Sequence, residues 1–191
     1  DKKDLEILSF SADQLSLAIE KFNAIEQIEK KSKYDELTGL PNKASFFDVA
    51  LNTIQDAKKS NSKILFVLLD LDDFMLIIDT HGYDIGNKII EILSKKLSMC
   101  INNDEVVSYW GGDKFNLILN SSSSYNEQKK KVKKIAEIIR EPISINDNVF
   151  TINSSIGVSV FPSNDNLNQL VRNSEIAMNH VKNNGKNNIK F

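Results

Sequence analysis

The heptapeptide Tyr109-Trp110-Gly111-Gly112-Asp113-Lys114-Phe115 constrains this chain more than any other stretch. Val106-Val107-Ser108-Tyr109 leads into it and Phe115-Asn116-Leu117-Ile118-Leu119 leads out, both with strand composition. The paired glycines supply the positive φ values that a tight hairpin turn requires. A carboxylate, Asp113, follows them at the tip. Upstream, Ile64 to Leu69 is an unbroken apolar run of strand length, the pattern of a central strand buried on both faces, and Asp70 marks its carboxyl end. A hairpin beside that strand brings Asp113 to Asp70. Buried carboxylates need hydrogen bonds, opposite charge or a metal, and Asp70, Asp72 and Asp73 crowd together there.

The remaining elements are helices and strands, and the expected fold is α/β, an antiparallel-centred sheet with helices on its faces. Ser32 to Leu40 is a turn-rich connection, and Asn42 is placed to cap a helix over Lys43 to Lys59 whose core positions are Phe46, Phe47, Ala50, Leu51 and Ile54. Tyr125 to Arg140 reads as an amphipathic helix burying Val132, Ile135, Ala136, Ile138 and Ile139, with the Lys129 to Lys134 cluster solvated and Pro142 ending it. Ile143 to Ile145 and Val149 to Phe161 read as strands around the turn Asn146-Asp147-Asn148. The last helix, Leu167 to Val181, carries Leu170, Val171, Ile176, Ala177 and Val181 as its apolar positions, and Lys182 and Lys186 flank a turn at Gly185. His81 is expected in a turn and His180 on the surface, neither with metal-ligand neighbours.

With 191 residues and 41% apolar content the chain suffices for one domain of ordinary size plus an extension. A formal charge of -2 gives no basic field for a nucleic-acid duplex, although a phosphate pocket needs only local charge. The single cysteine, Cys100, excludes an intramolecular disulfide and is expected as a buried, inert thiol in a helical stretch, which fits a reducing compartment. No apolar run reaches the length of a membrane span and the first residues are charged, unlike a signal peptide, so the expectation is a cytoplasmic chain, open to being cut from a longer protein. Leu5, Leu8, Ala12, Leu15, Ile19 and Phe22 follow coiled-coil spacing before Ile25 and Ile28 break the rhythm. That segment is one long helix, either folded back on its own domain or pairing two copies.

Four runs stand in order: Tyr34-Asp35-Glu36-Leu37-Thr38-Gly39-Leu40-Pro41-Asn42-Lys43, Leu68-Leu69-Asp70-Leu71-Asp72-Asp73-Phe74, the Gly-Gly hairpin, and Lys182-Asn183-Asn184-Gly185-Lys186-Asn187. Together they resemble the GGDEF family, the diguanylate cyclase domains, over residues 34–191, with residues 1–33 left as a signalling or coiled-coil helix. Ser11 to Lys30 also resembles the closing helix of a GAF sensor domain. The resemblance implies a palm-like central sheet with flanking helices, as in nucleotide cyclases and polymerases. It implies that Asp70, the Leu71 carbonyl and Asp113 hold Mg²⁺ or Mn²⁺, that Asp113 and Lys114 occupy the catalytic hairpin positions, and that Phe74, Asn87, Lys182 and Lys186 are substrate-binding positions. Each family site holds one GTP and two sites must meet to make cyclic di-GMP, which implies a homodimer, with the amino-terminal helix as its seam.

Several positions depart from the family pattern. Met75 stands for a phosphate-binding lysine, Ile78 for an asparagine that bonds guanine, Asn87 for a guanine-binding aspartate, Lys114 for a glutamate and Lys186 for an arginine. Asn102-Asn103-Asp104-Glu105 lacks the arginine of the family's inhibitory Arg-x-x-Asp motif, so product feedback is not expected and an exposed loop is. A buried polar group left without a partner costs roughly 1–3 kcal/mol, so changing two base contacts together predicts weak or absent guanine selectivity. The expected function is that of a degenerate GGDEF module in a bacterial signalling protein, catalytically impaired and serving regulation or nucleotide sensing. The alternative is an active diguanylate cyclase, or a cyclase with altered nucleotide choice.

Overall fold

The computed structural model describes residues 14–22, 32–120, 124–163 and 166–191. Strand β1 (Ile64–Leu71) is buried at every position. Its side chains alternate between two apolar clusters, which is why the run needs no polar residue until Asp70. Helix α1 spans residues 14–22 and α2 is Lys43–Ser60, capped by Asn42, whose side chain accepts from the Ser45 N–H. After β1 come α3 (Phe74–His81) and α4 (Tyr83–Ser98), then β2 (Val106–Gly111), β3 (Lys114–Asn120) and α5 (Tyr125–Arg140). The chain continues through β4 (Ile143–Ile145), β5 (Asn148–Phe150), β6 (Ser154–Phe161), α6 (Leu167–Asn183) and β7 (Ile189–Lys190).

The main sheet has five strands in the order β2-β3-β1-β6-β7. Pairing is antiparallel except between β6 and β7. One face packs on α4 and α5 through Ile89, Leu93, Val132, Ile135 and Ile139; the other packs on α2 and α6 through Phe46, Ala50, Ile54 and Leu170. This is the expected α/β fold with flanking helices. Phe46 lies edge-on to Phe66 and Trp110, and Phe47 stacks on Trp110 with ring centroids 5.4 Å apart, which pins the end of β2 to α2.

Four expectations need correction. The run Val149 to Phe161 is two strands: β5 pairs with β4 in a separate two-stranded sheet, and β6 joins the main sheet after residues 151–153. Leu51 and Ile176 are exposed because α2 and α6 each bury one narrow stripe. On α6 that stripe includes Ser174 and Met178, pressed so closely on β6 that a Cβ added to Gly157 would fall 2.0 Å from the Ser174 carbonyl oxygen. His81 ends α3 instead of lying in a turn, its ring edge-on to Phe150. Cys100 lies just past α4, half-buried, its thiol donating to the Lys96 carbonyl at 3.1 Å; burial pushes that thiol up in pKa. Most of the coiled-coil seam and of the GAF-like segment lies outside the described residues, but Leu15, Ile19 and Phe22 on α1 are exposed.

Candidate functional site

The end of β1 and the β2–β3 tip meet as the hairpin argument requires. Asp70 stands opposite Lys114 in the β1–β3 register, and the Leu71 N–H donates to the Asp113 carbonyl at 2.9 Å. Gly111 and Gly112 take φ values of 93° and 63°, which a side chain would strain. The Tyr109 hydroxyl donates to the Gly112 carbonyl at 2.9 Å and braces the tip from within. Burial, reinforced by the Asp35 and Asp113 charges, pushes the Tyr109 phenol up to about 12, so it stays a donor. Behind the tip, the Tyr109 N–H donates to the Pro41 carbonyl at 3.2 Å. The Asp35 carboxylate is spent on its own turn, accepting from the Thr38 N–H at 2.8 Å and the Thr38 hydroxyl at 2.7 Å.

The three crowded carboxylates are settled in three different ways. Asp70 is fully buried, and neither of its oxygens has a hydrogen bond of good geometry among the described residues. The Lys182 ammonium lies 2.7 Å from its Oδ1. Burial raises the Asp70 pKa, Lys182 opposes that rise, and the Asp113 charge adds to it. Asp72 is structural: it accepts from the Ser155 hydroxyl at 2.6 Å and from the Asn187 N–H at 2.9 Å. Asp73 pairs with Lys186 at 2.5 Å, and this bond holds the Lys186 ammonium above its usual pKa. Lys186 and Asn187 both have left-handed backbones, and Arg140 donates to the Asn187 side chain at 2.8 Å. Ser155, Asn187 and Arg140 therefore position the basic turn. Sequence reasoning missed them because their partners are remote in the chain.

The α3–α4 corner is built differently. Phe74 is 4% exposed and its ring packs near Gly86, while Met75 and Asn87 are exposed. Ile78 is half-buried against the core and lies over Gly86, where an added Cβ would come within 2.9 Å of Ile78 Cγ1. Lys114 is exposed. The chain therefore brings Asp70, Leu71, Asp113 and Lys182 together, sets Lys186 beside Asp73, and places Met75, Ile78 and Asn87 on the neighbouring helices.

The Asn102 to Glu105 segment is not simply an exposed loop. Glu105 is buried, accepts the Asn102 N–H at 2.7 Å and pairs with Lys131. The lysine cluster on α5 is likewise partly engaged, since Lys129 lies over the rings of Tyr125 and Phe191.

Among the described residues no group of three or more His, Cys, Asp and Glu side chains could hold a metal ion. The buried Asp70 carboxylate, in contact with Lys182 and next to the Asp113 charge, nevertheless fits a divalent ion that also takes backbone oxygen and a ligand's own oxygens. Among the same residues no helix is long and apolar enough to cross a membrane.

A family model described as "Diguanylate cyclase, GGDEF domain" matches residues 32–188. The chain belongs to the GGDEF family. It is 27% identical over 165 residues to the cyclic di-GMP phosphodiesterase NbdA of Pseudomonas aeruginosa, covering 86% of this chain and 21% of that protein. It is 25% identical over 159 residues to the bifunctional diguanylate cyclase/cyclic di-GMP phosphodiesterase MucR of the same organism, covering 83% of this chain and 23% of the relative. This GGDEF chain thus spans less than a quarter of either relative's length. Its fold matches the coiled coil and GGDEF domain of DgcB from Caulobacter crescentus, solved in complex with c-di-GMP, with a TM-score of 0.85 at 18% identity, over 96% of this chain and 98% of that one.

Proposed function

We propose that this GGDEF domain is a degenerate member that anchors a nucleoside triphosphate by its phosphates and a divalent metal, reads the base weakly, and serves a cytoplasmic signalling protein as a regulatory or nucleotide-sensing module. The observation that carries the reading is the contrast across the site: a buried carboxylate paired with a basic helix end on one side, and Ile78 laid over Gly86 on the other. Asp70, Asp113 and the Leu71 carbonyl would hold Mg²⁺ or Mn²⁺, which when bound neutralises triphosphate charge and favours phosphoryl transfer. Lys182 and Lys186 supply point charges for phosphate oxygens, without the bidentate geometry of an arginine. Asp73 makes no side-chain cap on α3, leaving that helix start to receive an anion.

On the base side, Ile78 offers no hydrogen bond and Asn87 has one acceptor oxygen where an aspartate has two. Relatives that carry this region are named as phosphodiesterases as well as cyclases, so membership alone does not assign synthesis to it. The exposed Leu15, Ile19 and Phe22 of α1 support a homodimer through that helix. The second reading, an active diguanylate cyclase or one with altered nucleotide choice, is favoured by the retention of Asp70, Asp113, Lys182 and Lys186.

Incubating the chain as a dimer with GTP and Mg²⁺ or Mn²⁺, with chromatographic detection of cyclic di-GMP, decides between them. The first reading expects bound triphosphate and no product. Multiple turnovers to cyclic di-GMP would establish the second.

A further inference from the structure

Of the three carboxylates that follow β1's apolar run, Asp70 is the one that is both fully buried and in contact with a single lysine. Asp72 is fixed by Ser155 and Asn187, and Asp73 is engaged by Lys186 at the surface. Asp70 is 0% exposed, lacks hydrogen bonds of good geometry among the described residues, and has the Lys182 ammonium 2.7 Å from Oδ1. Lys182 belongs to the last turn of α6, and its side chain is 33% exposed, so it has room to swing towards solvent. Asp70 is thereby both the innermost oxygen donor of the site and the one already occupied.

We propose that Lys182 is an internal counter-ion that keeps a free divalent cation off Asp70, so that the site admits metal only together with a polyphosphate that draws the ammonium away. The inference rests on the metal–triphosphate reading above. An ammonium and a divalent ion compete for one buried carboxylate, because their mutual repulsion at contact distance in a poorly screened site weakens the binding of each. A polyphosphate carries several charges where Asp70 carries one, and Lys182 moves to it while remaining within reach of the site. The carboxylate released is then open to the metal that arrives with the phosphates. Lys182 thus makes the site selective for the metal–polyphosphate complex over either component, and keeps it charge-balanced when empty.

The signature is a single substitution with opposite effects on two ligands. Binding of Mn²⁺ is read by electron paramagnetic resonance, and binding of inorganic tripolyphosphate by calorimetry, on the full chain and on Lys182→Met. The variant is expected to bind Mn²⁺ alone about tenfold or more tighter than the wild type and tripolyphosphate alone about tenfold weaker. Lys134→Met, which removes a charge from α5 away from the site, is expected to change neither. Adding Asp113→Asn to Lys182→Met is expected to abolish the gained Mn²⁺ binding, and circular dichroism establishes that each variant is folded. Unchanged or weaker Mn²⁺ binding in Lys182→Met, or an equal gain in Lys134→Met, would overturn the counter-ion role. A wild-type chain that takes up no Mn²⁺ even with tripolyphosphate present would instead overturn the metal–triphosphate reading beneath it.

Discussion

On the proposed phosphate side, the end of β1, the turn after α6 and the end of α5 are tied across the chain by polar and charged contacts: Lys182 to Asp70, Lys186 to Asp73, Asn187 to Asp72 and Arg140 to Asn187. On the base side, α3 and α4 meet through Phe74, Ile78 and Gly86, with Met75 and Asn87 left in solvent. The first region is held by polar contacts, and within it the buried Asp70 carboxylate is costly to keep charged without a partner. The second holds together by apolar contact, and a different side chain at Met75 or Asn87 costs the fold little. Recognition of a base can therefore be lost from α3 and α4 without disturbing the apparatus that would hold a triphosphate.

The largest expected effect comes from placing one methyl group on each side. Gly157→Ala drives a Cβ to 2.0 Å from the Ser174 carbonyl oxygen and 2.4 Å from the Met178 N, both backbone atoms. It should cost about 3 kcal/mol or more and lift the α6 end that carries Lys182. Gly86→Ala meets only Ile78 side-chain carbons at its closest approaches and should cost about 1 kcal/mol. Equal losses in chemical denaturation would contradict the contrast.

Rebuilding the base side should restore discrimination while sparing the fold. The combined change Met75→Lys, Ile78→Asn and Asn87→Asp is expected to raise the preference for GTP over ATP by about tenfold to a hundredfold, as two base contacts and one phosphate contact return. Competition binding measures the ratio, and a ratio no different from wild type would sink the claim that these residues set it.

Asp70 sharpens the comparison from the phosphate side. Its pKa is raised by burial, so the folded chain holds that proton more tightly than the unfolded one. The resulting stability is present below the ordinary aspartate value of about 4 and is lost as pH rises through the higher folded value. Asp70→Asn removes the loss and is expected to be more stable than wild type at neutral pH, with the two converging in acid. Thermal melts across that range check the sign; a less stable variant at neutral pH would mean that Lys182 more than offsets the burial. Asp73→Asn should have the smallest effect, with a melting curve that overlays the wild type, because the Lys186 pair is exposed to solvent.

The sheet centre and the hairpin were legible because their signals are local. An unbroken apolar run has to lie in a buried strand, and two glycines before a carboxylate have to turn. The break at residues 151–153 was not legible, because Ile152 stays apolar and buried there while the chain changes sheets. The exposure of Leu51 and Ile176 depends on where α2 and α6 rest, and apolar spacing does not say which flank of a helix is covered. At the site, a resemblance marks single positions along the sequence and says nothing of the contacts between them. The bonds from Ser155 to Asp72, from Arg140 to Asn187 and from Lys182 to Asp70 span residues far apart in the chain, and only the fold brings them together. The role of Tyr109 in bracing the tip had a faint signal, its place immediately before the turn.

Calorimetric titration of the chain with GTP, ATP and CTP in Mg²⁺ tests the central claim most directly. Phosphate anchorage with a rebuilt base surface expects all three to bind within about threefold of one another. GTP bound about a hundredfold more tightly than ATP and CTP would contradict it.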